Sequence, residues 1–491
     1  MAQAVSPAEG ELDKLKNVLP SEVARIVNAS RRQEPVLPSR DQRERCLFET
    51  GIRSQLADSS PCHHKRVHLA GFLAAFFAAA PVPVTFSHDV APILYKQCAA
   101  CHRPGGVAPF SLLTYQDASK RAQLIATITA KRAMPPWLPS TPHFRDERRL
   151  SDADIATLSH WAADGAPAGD LATAPAAPRF PDGWQLGAPD LEAKMAIDFS
   201  VPADGNDLYR CFVAPANIPL DRWVRAVDMR PGNPQVVHHA ILFQDISGTA
   251  RKRDTGSGYD CFGTPGFLPA RGLAGWTPGS LPYQTPSDMP ELLHAYADLV
   301  LQVHYHPNGR ALTDRTAVAL YFTTRKPTRQ AQDIPLGSNR IDIPPGERAY
   351  KVTDHFTLPV DVDAIGINPH AHYICKEMYG YAVLPDGTRR TLLRIPDWNF
   401  NWQQEYLYAT PIRLPAGTDV VMEFTYDNST GNPRNPSHPP KRVMWGPSSN
   451  DEMAGLHIAV VPVDKDDADD LSAALWGKMI RTTQGGGLRK Q

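Results

Sequence analysis

Residues 236–243 read "VVHHAILF", and how that run is taken decides the fold. It is short and apolar, it is rich in β-branched side chains, and turn-forming Pro, Gly and Asn precede it. It therefore reads as a strand rather than a helix segment. Similar runs recur at 299–306 ("LVLQVHYH"), 317–324 ("AVALYFTT") and 419–429 ("DVVMEFTYDNS"). Between about residues 199 and 463 the chain alternates such runs with Gly, Pro, Asp and Asn turns, and no long amphipathic pattern interrupts them. Strands at this spacing predict β-sandwiches, and the length of the span predicts two of them, with "DIPPGERAY" at 342–350 as the joint.

Composition is compatible with that reading. Apolar residues make up 42% of the 491, enough for packed cores, and the 47 prolines suit strands and turns. Charged residues at 21% and a net charge of −1 argue against a nucleic-acid binder, which would carry a basic face or stripe.

Upstream of the strands lies "QCAACHRPGG" at 97–106. C-x-x-C-H is the attachment signature of a c-type haem: Cys98 and Cys101 supply two thiols, and His102 is the proximal iron ligand. A redox dithiol would want a βαβ setting and a zinc site a second cysteine pair, and neither is present. The flanks read helical. "SHDVAPILYKQC" spaces its apolar residues at Val90, Ile93 and Leu94, and Ser151 with Asp154 forms a capping box that opens a helix ending at Gly165. Met134 in the proline-stiffened "RAMPPW" is the expected distal ligand, with His88, His143 and His160 as competitors.

Three histidine clusters punctuate the strand region: His238 with His239, His304 with His306, and His370 with His372. An H-x-H pair on a strand places both rings on one face, ready to chelate a metal. Adjacent histidines on a regular strand point to opposite faces, so His238 and His239 share a metal only where the backbone bulges. Imidazole suits copper, zinc and iron, and zinc has no redox chemistry to match an electron carrier. Met453, in "WGPSSNDEM", offers a thioether that selects Cu(I).

In this order these motifs resemble the copper type II ascorbate-dependent monooxygenases, the family of peptidylglycine α-hydroxylating monooxygenase and dopamine β-monooxygenase. "DWNFNWQ", "YDNS" and "WGPSSNDEM" resemble its bacterial branch, whose members can carry an N-terminal cytochrome c domain with an "MPPW" loop. The resemblance covers roughly residues 84–463. It implies an electron-transfer copper held by His238, His239 and His304, and an oxygen-binding copper held by His370, His372 and Met453. His306 is left spare. It also implies a disulfide between Cys211 and Cys261, one on each side of the H-H strand. Asn368 and His457 stand where the peptide-amidating members carry an arginine and a tyrosine, which speaks against peptide amidation.

The expected architecture is thus mostly β with a small α domain: two tandem antiparallel, jelly-roll-like β-sandwiches preceded by a helical c-type cytochrome domain. The boundaries are 84–170 for the cytochrome domain, 178–344 for the first sandwich, 345–465 for the second and 466–491 for an acidic tail. A Pro/Ala-rich linker separates the first two. The expected function is C–H hydroxylation of a small organic substrate with O2. Two copper ions and one covalent haem c would serve it, with ascorbate, the haem or an external donor supplying electrons. The rivals are an exported electron-transfer protein and an oxidase that hydroxylates nothing.

Export is expected from "HHKRVHLAGFLAAFFAAAPVPV" at 63–84, where Lys65 and Arg66 precede a 12-residue apolar core, Leu69 to Ala80. That core is too short for a membrane span of about 20 residues, so it reads as a signal peptide and the mature chain as periplasmic or extracellular. Seven cysteines fit an oxidising compartment: two for haem, Cys46 and Cys62 upstream, and Cys211, Cys261 and Cys375 as one disulfide plus a free thiol. Residues 1–62 are expected to be an upstream extension absent from the mature protein. N-terminal sequencing of exported protein should begin beyond residue 80; a chain retaining Cys46 or Cys62 contradicts this.

Overall fold

A computed structural model describes residues 83–181, 183–267 and 272–485. The signal-like segment, the upstream extension, Cys46 and Cys62 lie outside the described residues. The protein is mostly β, built from several antiparallel sheets.

The period of two along Asp298–Tyr305 organises the first half. Leu299, Leu301, Val303 and Tyr305 enter one hydrophobic core. Val300, Gln302 and His304 point the other way and are also buried. A strand buried on both faces is the centre of its sheet, whose order is Tyr259–Asp260, Leu208–Ala214, Asp298–Tyr305, Val237–Asp245, Gly272–Trp276. A second sheet contains Leu191–Lys194, Ala317–Thr323 and Arg222–Arg230, and it contributes Val224, Val227, Val318 and Leu320 to the same core. On the other face of Asp298–Tyr305 lies a smaller cluster holding the Cys211–Cys261 disulfide.

A second core lies between two four-stranded sheets. One runs Gln332–Gly337, Gly455–Pro462, Val362–His370, Tyr406–Leu414; the other runs Tyr350–Thr357, Asp419–Tyr426, Cys375–Val383, Arg389–Ile395. Gln332–Gly337 lies upstream of the 342–350 joint expected from sequence, yet its partner is Gly455–Pro462 and its Ile334 and Leu336 sit in the second core. The changeover between cores therefore falls in residues 324–331. Alternation sends Leu456, Ile458 and Val460 inward, which turns Gly455 and His457 outward beside their register partners His370 and Asn368.

Residues 86–163 carry the helices Ala91–Gln97, Ala122–Ala130 and Asp152–Ala163, the last opened by the Ser151–Asp154 capping box. Phe86, Val90, Leu94, Leu158 and Trp161 are buried there. The Cys98–His102 turn folds back on itself: a Cβ at Gly106 would collide with the Cys101 carbonyl, so only glycine fits. The segment that follows "MPPW" is stitched to the second core. Ser140 N donates to Arg394 O at 2.8 Å and Arg145 N to Leu407 O at 2.7 Å, one bond to each of its two sheets. Between them Phe144, 3% exposed, enters the core and stacks on Tyr408 at 5.3 Å.

The helix Ala468–Gly485 ends the described chain, and Lys478 anchors it to Asp354 at 2.8 Å. Among the described residues no helix is long and apolar enough to cross a membrane. Phe144→Ala should cost about 3–5 kcal/mol, the range for emptying a buried aromatic site. Denaturant unfolding followed through the buried Trp398 checks this; an unchanged midpoint would show that the 137–145 segment does not brace the core.

Candidate metal centres

The H-H objection is resolved by a bulge. His304 pairs with His239, but the next residue, Tyr305, pairs with Val237. His238 is the extra residue in the ladder, freed from the alternation that would turn it away from His239. The three rings converge. His238 Nδ1 is 3.3 Å from His239 Nδ1, which is 3.4 Å from His304 Nδ1. The donor atoms of the three all lie within 4.8 Å of one another. Imidazole nitrogens about 2.0–2.1 Å from a tetrahedral metal stand about 3.3–3.4 Å apart, so the spacing fits an ion at the centre.

The surroundings hold these rings still and neutral. Tyr209 stacks on His304 at 4.1 Å and 13°, and Phe400 stacks on His238 at 4.3 Å and 15°. Burial, followed by the neighbouring histidines, pushes His238 and His239 well below the usual imidazole range. Burial also lowers His304, against the pull of Asp207. Neutral imidazole is the ligating form. His304 Nε2 is buried and lacks an aligned hydrogen-bond partner, although Asp207 Oδ2 lies 3.3 Å away. The other Asp207 oxygen takes the spare histidine, His306, at 2.7 Å.

The second pair sits at the end of Val362–His370 and just past it, on the outward face. His370 Nδ1 meets Gln403 Oε1 at 2.5 Å, and His372 Nδ1 meets Asp451 O at 3.2 Å. With both Nδ1 atoms engaged in this way, each Nε2 is left as the ligating nitrogen. Burial lowers His370 to about 4 and His372 to about 3. Glu452, fully buried and pushed well above the ordinary carboxyl range by burial, accepts from the backbone N–H groups of both His372 (2.5 Å) and Met453 (3.4 Å). That shared oxygen brings the Met453 backbone beside His372. Phe400, stacked on His238, also meets His372 in a T-shaped contact at 5.6 Å, so one buried ring touches a histidine of each cluster.

In the helical region Cys98 and Cys101 are free thiols, which burial raises, Cys98 to about 12. His102 Nδ1 lies 3.1 Å from the Phe110 carbonyl, which leaves Nε2 as the ligating nitrogen, and burial lowers the ring to about 4. Met134 is half-buried, whereas its competitors His88, His143 and His160 are exposed. Arg148 ties this region to the strands, donating to Gly279 O at 3.0 Å and Gln404 Oε1 at 2.8 Å. A Cβ at Gly279 would lie 3.8 Å from Cys101 Sγ.

Of the residues singled out in the sequence, the structure thus gathers His238, His239 and His304 at one point. It places His370, His372 and the Met453 backbone at a second. Sequence reasoning missed Asp207, Gln403 and Glu452. Of these Glu452 adjoins Met453, and Gln403 closes the "DWNFNWQ" stretch.

No protein-family model matches the chain. It is 24% identical to mouse "DBH-like monooxygenase protein 2" over 214 residues, covering 40% of this chain and 34% of that protein. The match therefore spans about a third of the relative's length. Solved structures with some likeness include the infectious bursal disease virus VP2 subviral particle (10% identity, TM-score 0.18, 58% of this chain and 69% of that chain). Another is peptide-N(4)-(N-acetyl-β-D-glucosaminyl) asparagine amidase (9% identity, TM-score 0.21, 55% and 96%). At such scores neither bears on fold or function.

The lowered histidines make stability without metal pH-dependent. Between the ordinary imidazole value near 6.5 and about 4, the unfolded chain binds protons at His370 that the folded chain refuses. Stability must therefore fall as pH drops through that window. Denaturant midpoints of metal-free protein at pH 7 and pH 5 test this. The drop should shrink in a His370→Gln, His372→Gln double variant; an equal drop would show that these rings are not held neutral.

Proposed function

We propose that the protein is a copper-dependent monooxygenase that hydroxylates a C–H bond of a small organic substrate with O2. Electrons come from ascorbate, from a fused c-type haem, or from an external donor through it. His238, His239 and His304 hold one copper and His370, His372 and Met453 the other; Cys98, Cys101, His102 and Met134 hold the haem. The net reaction consumes R–H, O2, two electrons and two protons, and yields R–OH and water.

The observation that carries this reading is the convergence of His238, His239 and His304 at spacings suited to a metal, with a second histidine pair whose buried member His372 touches the same Phe400 ring. Copper bound there supplies one-electron chemistry and, at the site with the thioether, a Cu(I) state suited to oxygen. The protein's own residues do the rest. Gln403 and the Asp451 carbonyl orient the second pair, Tyr209 and Phe400 fix the first, and the buried Phe400 ring contacts a histidine of each. The similarity to a DBH-like monooxygenase supports the same reading. Close approach of Cys101 to the Gly279 turn supports delivery of electrons from within the chain: Thr277 in that turn donates to Gln403 O at 2.5 Å, and Gln403 holds His370. The Cys211–Cys261 disulfide supports export to the periplasm or beyond.

Oxygen from 18O2 should appear in the hydroxylated product; label only in water would favour the oxidase rival, and no O2 uptake the electron-transfer protein. Met453→Ala should abolish hydroxylation while the haem still reduces, and His102→Ala should stop haem-fed but not ascorbate-fed turnover. Full haem-fed activity in either variant would overturn the assigned role.

A further inference from the structure

We propose that Asp207 is the positioning residue of the three-histidine cluster and a tie between that cluster and the loop carrying Met453. The inference rests on the copper reading above. Asp207 immediately precedes the strand Leu208–Ala214, and its carboxylate is only 5% exposed. Three groups converge on it. His306 Nδ1 lies 2.7 Å from Oδ1, His304 Nε2 lies 3.3 Å from Oδ2, and the backbone N–H of Ser449 donates to Oδ2 at 3.3 Å.

The His304 contact sets a tautomer. Stacking on Tyr209 holds the ring plane, so its two nitrogens face fixed neighbours. Nδ1 faces His239 at 3.4 Å, where a metal would sit, and Nε2 faces a carboxylate, which can only accept. The contact is not an aligned hydrogen bond, yet a carboxylate 3.3 Å from Nε2 favours the proton on that nitrogen and the lone pair on Nδ1. A carboxylate behind a ligating imidazole orients the ring and strengthens it as a donor.

The Ser449 contact carries the same constraint across to the second cluster. Residues 447–453 run from Pro447, whose carbonyl accepts from Tyr209 Oη at 3.1 Å, through Ser449 on Asp207, to Asp451 on His372 and then Met453. A shift of Asp207 on metal binding at His304 is thus felt by the loop that places the thioether. Tyr209 makes the parallel link, stacking on His304 and donating to Pro447 O, so Asp207 is the charged member of a two-residue tie between the cluster and this loop.

The test is copper titration of the full chain by competition with a chromophoric Cu(I) chelator, combined with pulsed EPR of the Cu(II) form, which reports the hydrogen bonding of the remote ring nitrogen. Asp207→Ala should weaken the three-histidine site about 10–100-fold and change the remote-nitrogen signal. It should also weaken the second site measurably. Asp207→Asn keeps the volume and the oxygen for Ser449, so it should weaken the first site less and spare the second. His306→Gln should leave both within a factor of about five, as for a partly exposed pair. If Asp207→Ala does not fold, the isosteric Asn variant decides by affinity and EPR signal alone. Wild-type affinity and signal in the Asp207 variants overturn this proposal alone, whereas a wild-type chain that takes up no copper overturns the copper reading with it.

Discussion

Everything at the first cluster depends on one extra residue in a β-ladder. A regular strand would send His238 and His239 to opposite faces, and the central strand Asp298–Tyr305 could then offer His304 to only one of them. Pairing slips between His304 and Tyr305, leaving His238 unmatched, and the three Nδ1 atoms come together. A bulge of this kind costs ladder bonds, and it is tolerated here beside a strand that is buried on both faces and backed by a disulfide.

The second cluster is built by simpler means. Alternation along Val362–His370 turns His370 outward with Asn368, and the chain then leaves the sheet so that His372 faces the same recess. Its rings are aimed by neighbours from elsewhere: Gln403 from the segment before Tyr406–Leu414, and the Asp451–Met453 stretch from the loop before Gly455–Pro462. Phe400 then lies against a histidine of each cluster. The two centres are therefore not independent modules. Both are read by the same short segments, 397–404 and 447–453.

How much of this was legible depended on whether the signal was local. Strand identity and the inward residues of runs such as 299–305 follow from period-two patterning, and the Ser151–Asp154 capping box can be read from four consecutive residues. The histidines stand out because H-x-H spacing has its own geometry. What could not be read were contacts between distant segments. Asp207 and Ser449 are 242 residues apart, and Arg148 and Gln404 are 256 apart. The sequence likewise misplaced the change from first to second core, because Gln332–Gly337 looks like any other strand until Gly455–Pro462 is seen beside it.

The central claim is that two separate histidine clusters each hold one copper. Metal content of the purified, exported chain by mass spectrometry, read alongside the absorbance of the reduced haem, tests it most directly. The account predicts two coppers and one haem per chain, with one copper lost in His238→Ala and the other in His370→Ala. A chain that binds zinc, or no copper, at full haem content would contradict it.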